Sequence, residues 1–191
     1  MRLVLASTST YRRDLLARLG LPFEQRAPRV DEDAWKAKGL APRDLAAALA
    51  REKARAVAAE LPGATVIGSD QVCALGDLVL DKPGSEERAR EQLARLAGRT
   101  HELLTAVCVL GPDGEWEHLD VATLAVRALD AEQVARYVAA DRPLDCAGSY
   151  KLESRGIALF ESLACADHTA IVGLPLVALA NELVRRGARL P

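Results

Sequence analysis

Apolar positions along this chain follow two periods, and the changes of period predict the elements. Leu3-Val4-Leu5-Ala6 is a continuous apolar run, read as a first strand over 2–6. The polar connection Ser7-Thr8-Ser9-Thr10 follows it. Leu15, Leu16 and Leu19 then recur at helical spacing and predict a helix over 11–19, stopped by Gly20. Residues 28–40, with Asp31, Glu32 and Asp33, read as loop, and Pro42 opens a long alanine-rich helix to Leu61. The β-branched run Ala64-Thr65-Val66-Ile67-Gly68 predicts a buried strand with Asp70 just past its end. Residues 74–84 read as loop, and Ser85 caps a helix to about Ala97. Two runs, 103–110 and 116–129, flank Gly111-Pro112-Asp113-Gly114 as a hairpin. Asp130 and Gln133 start a helix to about Ala140 with a capping box. Short strands are expected over 157–161 and 169–172, and a last helix runs from Pro175 to Gly187. Helices alternate with strands and one hairpin interrupts them. The expected fold class is α/β, a mixed central β-sheet flanked by helices, in a single domain over 1–191.

Composition removes several function classes. A net charge of −2, without a basic stripe, leaves no surface for nucleic acid. No stretch reaches the ~18 apolar residues of a membrane span, and the opening run is too short for a signal peptide. The expected compartment is the cytoplasm. Cys73, Cys108, Cys146 and Cys165 are widely spaced, with no C-x-x-C pair to hold zinc or run redox chemistry. His101, His118 and His168 lack metal-ligand spacing and read as surface or strand-edge residues.

The remaining polar residues carry the chemistry. Asp70 past the carboxyl end of a buried strand sits where open α/β sheets place ligands. Lys53 falls within the ~120° arc that holds Leu45, Leu49 and Val57 on its helix. A buried ammonium there needs a carboxylate or a ligand. Ser7 to Arg13 is a strand, a hydroxyl-rich turn and a helix start, with Arg12 and Arg13 in a first turn whose dipole disfavours cations. Either a bound anion resolves that conflict or the arginines are solvated on an ordinary cap. Asp31 and Glu32 are read as metal ligands or as a solvated acidic loop, and Lys82 as a phosphate contact or a solvated turn residue. Basic residues for phosphate, one carboxylate for metal and one for water form the kit for hydrolysis of a phosphoanhydride.

Several segments, in this order, resemble the Maf nucleotide pyrophosphatases. They are Leu5-Ala6-Ser7-Thr8-Ser9 with Arg12-Arg13, Val30-Asp31-Glu32, Glu52-Lys53-Ala54, Gly68-Ser69-Asp70-Gln71-Val72 and Lys82-Pro83. Further along come Cys146-Ala147-Gly148-Ser149-Tyr150, Gly156-Ile157, Leu159-Phe160-Glu161 and Val172-Gly173-Leu174-Pro175-Leu176. The resemblance implies a fold akin to inosine-triphosphate pyrophosphatases, a homodimer, and cleavage of nucleoside triphosphates to monophosphate and pyrophosphate with Mg²⁺ or Mn²⁺. It implies Asp70 as the proton acceptor, Ser7, Arg12, Arg13, Lys53 and Lys82 on phosphates, and Glu32 with Asp70 on metal. Gln71, where the branch acting on dTTP and UTP typically has threonine, is similar to the branch acting on 7-methyl-GTP. Specificity then falls on Tyr11, Gln71 and Glu153. Tyr11 offers a ring to a cationic methylated purine, and Glu153 accepts from guanine N1–H and its amino group. The chain departs from the pattern at Thr10, where proline is common, at Tyr11, where tryptophan is frequent, and at Ser154-Arg155, which replace a more glycine-rich or apolar pair. The rival readings are the same chemistry on dTTP, UTP or a canonical purine nucleotide, and a nucleotide-binding regulator of septum formation.

Overall fold

The sheet grows from β1 (Leu3–Ala6), whose four residues are all buried. It pairs in parallel on both sides, with β2 (Phe23–Arg26) and with β3 (Thr65–Leu75). This computed structural model describes residues 1–190. The remaining strands are β4 (Leu78–Leu80), β5 (Thr100–Gly111), β6 (Gly114–Val126) and β7 (Phe160–Ala164). Their order is β2-β1-β3-β5-β6-β7, with β4 paired to β3. The β4 and β7 pairings are antiparallel, so the sheet is mixed. The helices are α1 (Thr10–Ala17), α2 (Glu32–Lys36), α3 (Pro42–Glu60), α4 (Glu86–Leu96), α5 (Ala131–Asp141), α6 (His168–Val172) and α7 (Leu176–Arg185). The mixed α/β class expected from the alternation of patterns is the class observed.

The described residues group into two compact units. The first comprises 1–71, 105–120 and the chain from Asp167 onward. Strand alternation sends Leu3, Leu5 and Ile67 to one face, where they cluster with Leu15 and Leu16 of α1 and with Leu176, Leu179 and Leu183 of α7. Gly68 belongs to the other face, against α3. A Cβ there would lie 2.2 Å from the Ala50 carbonyl oxygen and 2.6 Å from the Ala54 nitrogen. Only glycine lets helix and strand approach this closely. The second unit comprises 72–104 and 121–166. In it α4 packs on α5 and on a 3₁₀ turn at Ala147–Ser149, and α5 packs on another at Arg155–Leu159. Among the described residues no helix is long and apolar enough to cross a membrane.

Several sequence expectations are corrected. The strand holding Asp70 does not stop at Gly68 but runs to Leu75, and β4 lies within the expected loop 74–84. The expected loop 28–40 contains α2, because the Asp31 carboxylate accepts from the Ala34 N–H at 3.0 Å and Glu32 and Asp33 suit the positive end of its dipole. Three of the four residues 169–172 are β-branched and look like strand, yet they form α6. Asp167 caps it, accepting from the Thr169 N–H at 2.9 Å. The strand expected over 157–161 starts only at Phe160, after the 3₁₀ turn. His101 is not at a surface or strand edge but buried. The structure buries Cys73 and Cys108 and leaves Cys165 exposed.

Candidate active site

β1 ends at Ala6, opposite Gly68, while β3 continues. Asp70 therefore stands past the carboxyl end of this parallel pairing, on the Gly68 face and toward α3. Lys53 comes from the middle of α3, inside its apolar arc, and is 5% exposed; Asp70 is 7% exposed. Their charges meet, with Lys53 Nζ 2.6 Å from Asp70 Oδ1. The same ammonium lies 2.7 Å from Oε1 of Glu32, which opens α2. A cation held between two carboxylates repays its desolvation, which an unpaired buried ammonium does not. Burial pushes the Asp70 carboxyl above the ordinary carboxylate range, Lys53 and Arg12 pull it back, and Glu32 adds to the rise. A carboxylate tuned upward in this way is a better proton acceptor near neutrality.

Arg12 is placed by the start of α1. Ser9 caps that helix, its hydroxyl accepting from the Arg12 N–H at 3.3 Å, and the buried Ser7 hydroxyl accepts from the Ser9 N–H at 3.1 Å. The half-buried Arg12 donates Nε–H to the Gly173 carbonyl at 2.9 Å. Desolvation lowers its pKa against the attraction of Asp70 and then Glu32. The guanidinium thus faces the same two carboxylates as Lys53.

The other face of β3 has different work. Ser69 Oγ donates to the Gly173 carbonyl at 3.1 Å. The Gln71 amide nitrogen donates to Thr105 Oγ1 at 3.0 Å and to the carbonyls of Ala170 and Ile171 at 2.9 and 3.1 Å. Thr105 Oγ1 donates in turn to Ala170 at 2.9 Å. These carbonyls end α6, where a short helix leaves its last C=O groups short of intrahelical partners; the Ala170 carbonyl also accepts from the Gly173 N–H at 3.0 Å. Gln71 and Thr105 supply them.

Of the expected site residues, the structure brings Glu32, Lys53, Asp70 and Arg12 together. Ser7 and the half-buried Tyr11 flank them in sequence on the β1–α1 segment. Arg13 is exposed and pairs with Asp14 at 2.8 Å. Gln71 points to the opposite face of β3 from Asp70. Lys82 and Glu153 are exposed residues of the second unit. Sequence reasoning missed Ser69, Thr105 and Gly173. The available signal for Thr105 was a hydroxyl inside the apolar run 103–110.

Two carboxylate oxygens, one from Asp70 and one from Glu32, converge within 2.7 Å of a single point that now carries the Lys53 ammonium. Asp70 and Glu32 are hard oxygen donors of the kind a divalent cation takes, and in this structure the Lys53 ammonium occupies the point between them. Cys108, Glu115 and Glu117 form a second group whose ligand atoms lie within 4.8 Å of one another. Arg51 pairs with Glu117, and Arg55 lies 3.2 Å from Glu115, so guanidinium groups already neutralise that acid pair.

Residues 2–186 match the family described as Maf-like protein. The chain is 50% identical over 190 residues to the 7-methyl-GTP pyrophosphatase of Xanthomonas oryzae pv. oryzae (strain MAFF 311018), covering 100% of this chain and 99% of that one. It is 46% identical over 191 residues to the 7-methyl-GTP pyrophosphatase of Pseudomonas putida, covering 99% and 98%. Among solved structures, the Staphylococcus aureus Ham1 protein superposes with a TM-score of 0.56 at 15% identity, covering 97% of this chain and 100% of that one.

Proposed function

The chain belongs to the Maf family, and from that premise we propose that it is a nucleoside triphosphate pyrophosphatase with 7-methyl-GTP as preferred substrate. The observation that carries the reading is the buried Glu32–Lys53–Asp70 arrangement, with Arg12 facing it. In the proposed reaction Asp70 takes a proton from water. The water oxygen bonds to the α-phosphorus, the bond from that phosphorus to the α–β bridging oxygen breaks, and pyrophosphate leaves with the electron pair. Lys53 and Arg12 hold phosphate oxygens and offset the charge that spreads over them in the transition state. Ser7, Arg13 and Lys82 complete the phosphate contacts. Asp70 and Glu32 would hold a divalent cation, which would supply further charge neutralisation.

Tyr11, Gln71 and Glu153 are the proposed base contacts. The preference for 7-methyl-GTP is supported by Gln71 in place of threonine and by relatives that carry that activity in their names. The reading takes the two units as one domain and extends to a homodimer, which rests on the family resemblance, in the cytoplasm, the compartment expected from composition. Pyrophosphate release from a panel of 7-methyl-GTP, GTP, dTTP and UTP, with Mg²⁺ or Mn²⁺, tests it. The expected result is 7-methyl-GTP among the best substrates, and turnover lost by about 10²- to 10⁴-fold in Asp70→Asn with nucleotide binding retained. Equal turnover in variant and wild type overturns the mechanism, and a preference for dTTP and UTP overturns the substrate.

A further inference from the structure

Glu153 lies in a turn that α5 anchors. The Lys151 N–H donates to the Tyr137 hydroxyl of α5 at 2.9 Å. Ser154 Oγ donates to Asp141 Oδ1 at 3.2 Å, and the Arg155 N–H donates to Asp141 Oδ2 at 3.0 Å. Burial raises the pKa of the Tyr137 hydroxyl, and the charge of Asp141 nearby adds to the rise. The turn closes on itself through the Ser154 and Gly156 N–H groups, which donate to the Lys151 carbonyl at 3.2 and 3.1 Å. A Cβ on Gly156 would come within 2.3 Å of that oxygen, so the closure requires glycine.

Two features show that Asp141 is placed for the turn rather than for its helix. It is the last residue of α5, where the dipole disfavours a carboxylate. The next residue, Arg142, takes the left-handed conformation with φ 43°, which ends the helix and leaves the carboxylate beside the turn. A locally unfavourable residue held by specific contacts marks a site where something else is served. Ser154 and Arg155, the residues that follow Glu153, are the ones that bind Asp141. Glu153 is bracketed by anchors at Lys151, Ser154 and Arg155.

We infer that Asp141 and Tyr137 are positioning residues for base recognition: they fix the 151–156 turn and so set where the Glu153 carboxylate is presented to the nucleotide. The inference rests on the reading of Glu153 as a base contact. Neither residue touches phosphate in this scheme, so their loss acts on base discrimination.

The test measures kcat and KM for 7-methyl-GTP and for UTP in Tyr137→Phe, Asp141→Ala, Asp141→Asn, Ser154→Ala and Glu153→Gln. The expected result is a fall of about tenfold in the 7-methyl-GTP to UTP ratio of kcat/KM for Asp141→Ala and Tyr137→Phe, through KM, with kcat for UTP held. Asp141→Asn retains one acceptor oxygen and recovers part of the ratio. The double variant Asp141→Ala/Glu153→Gln is no worse than Glu153→Gln alone, because both changes disable one contact. If Asp141→Ala does not fold, Tyr137→Phe and Ser154→Ala make the same comparison. A changed ratio in Glu153→Gln with an unchanged ratio in the anchor variants overturns the inference. An unchanged ratio in Glu153→Gln overturns the reading of Glu153 itself, and the inference with it.

Discussion

Lys53 Nζ lies 2.6 Å from Asp70 Oδ1 and shares its charge with Glu32 at 2.7 Å. The ammonium keeps two carboxylates from repelling each other, and it lowers a pKa that burial raises. Base strength at Asp70 is therefore set first by burial and then tempered by Lys53, and the pH profile reads the Lys53 share.

Activity requires ionised Asp70, so kcat/KM is expected to fall as the pH drops through the Asp70 pKa, which lies above the usual carboxylate value. Lys53→Met removes the charge that pulls this pKa down. The acid limb then moves to higher pH, and the plateau drops by about 100-fold with the loss of a phosphate contact. Rate measurements between about pH 5 and about pH 9 check both effects. An acid limb that stays in place in Lys53→Met refutes the coupling.

Gly68→Ala tests how Lys53 reaches Asp70. The added methyl meets the Ala50 carbonyl and the Ala54 nitrogen, backbone atoms that cannot turn aside. The expected cost is about 3 kcal/mol or more, read by denaturant unfolding. In whatever protein remains folded, α3 stands off β3 and turnover falls although no charged group was changed.

Much of this site was legible in the sequence because its residues break local rules. Lys53 interrupts an apolar arc, and Asp70 follows a β-branched run. Each is improbable unless it has a partner, and each is the other's. Elements were missed or misread where local preference and tertiary context disagree. Phe23–Arg26 has mostly polar side chains and becomes β2 through backbone pairing with β1. Thr169 to Val172 carries strand-like residues but is turned into helix by the Asp167 cap. The acidic stretch at Asp31 read as solvated loop because the Lys53 contact to Glu32 joins residues far apart in sequence. The bracing of α6 by Gln71 had no local signal, since its carbonyl partners lie 99 and 100 residues further along the chain.

That bracing gives Gln71 a measurable structural role apart from any part in base selection. Gln71→Leu leaves the Ile171 carbonyl without the amide and strips one donor from Ala170, while Thr105 still donates to Ala170. The expected destabilisation is about 1–3 kcal/mol. Amide hydrogen exchange within α6 is expected to quicken more than in α3, because only α6 loses its end contacts. Uniform exchange across both helices refutes the brace.

His101 is expected to make the fold acid-sensitive. It is buried beside Tyr150 and Phe160, its Nε2 is 2.9 Å from the Tyr150 hydroxyl, and among the described residues Nδ1 has no hydrogen-bond partner. Burial lowers its pKa from 6.5 to about 4. Between these values the unfolded chain binds a proton that the folded chain does not. The stability that neutral His101 contributes is therefore complete above the unfolded pKa and is lost as the pH falls through this window, by roughly 2 kcal/mol at pH 5 relative to pH 7. His101→Gln keeps a group able to bond the Tyr150 hydroxyl but does not titrate. Urea unfolding at the two pH values should show a smaller acid loss in His101→Gln than in the wild type, by about that amount. An equal loss in both proteins would assign the acid sensitivity to other groups.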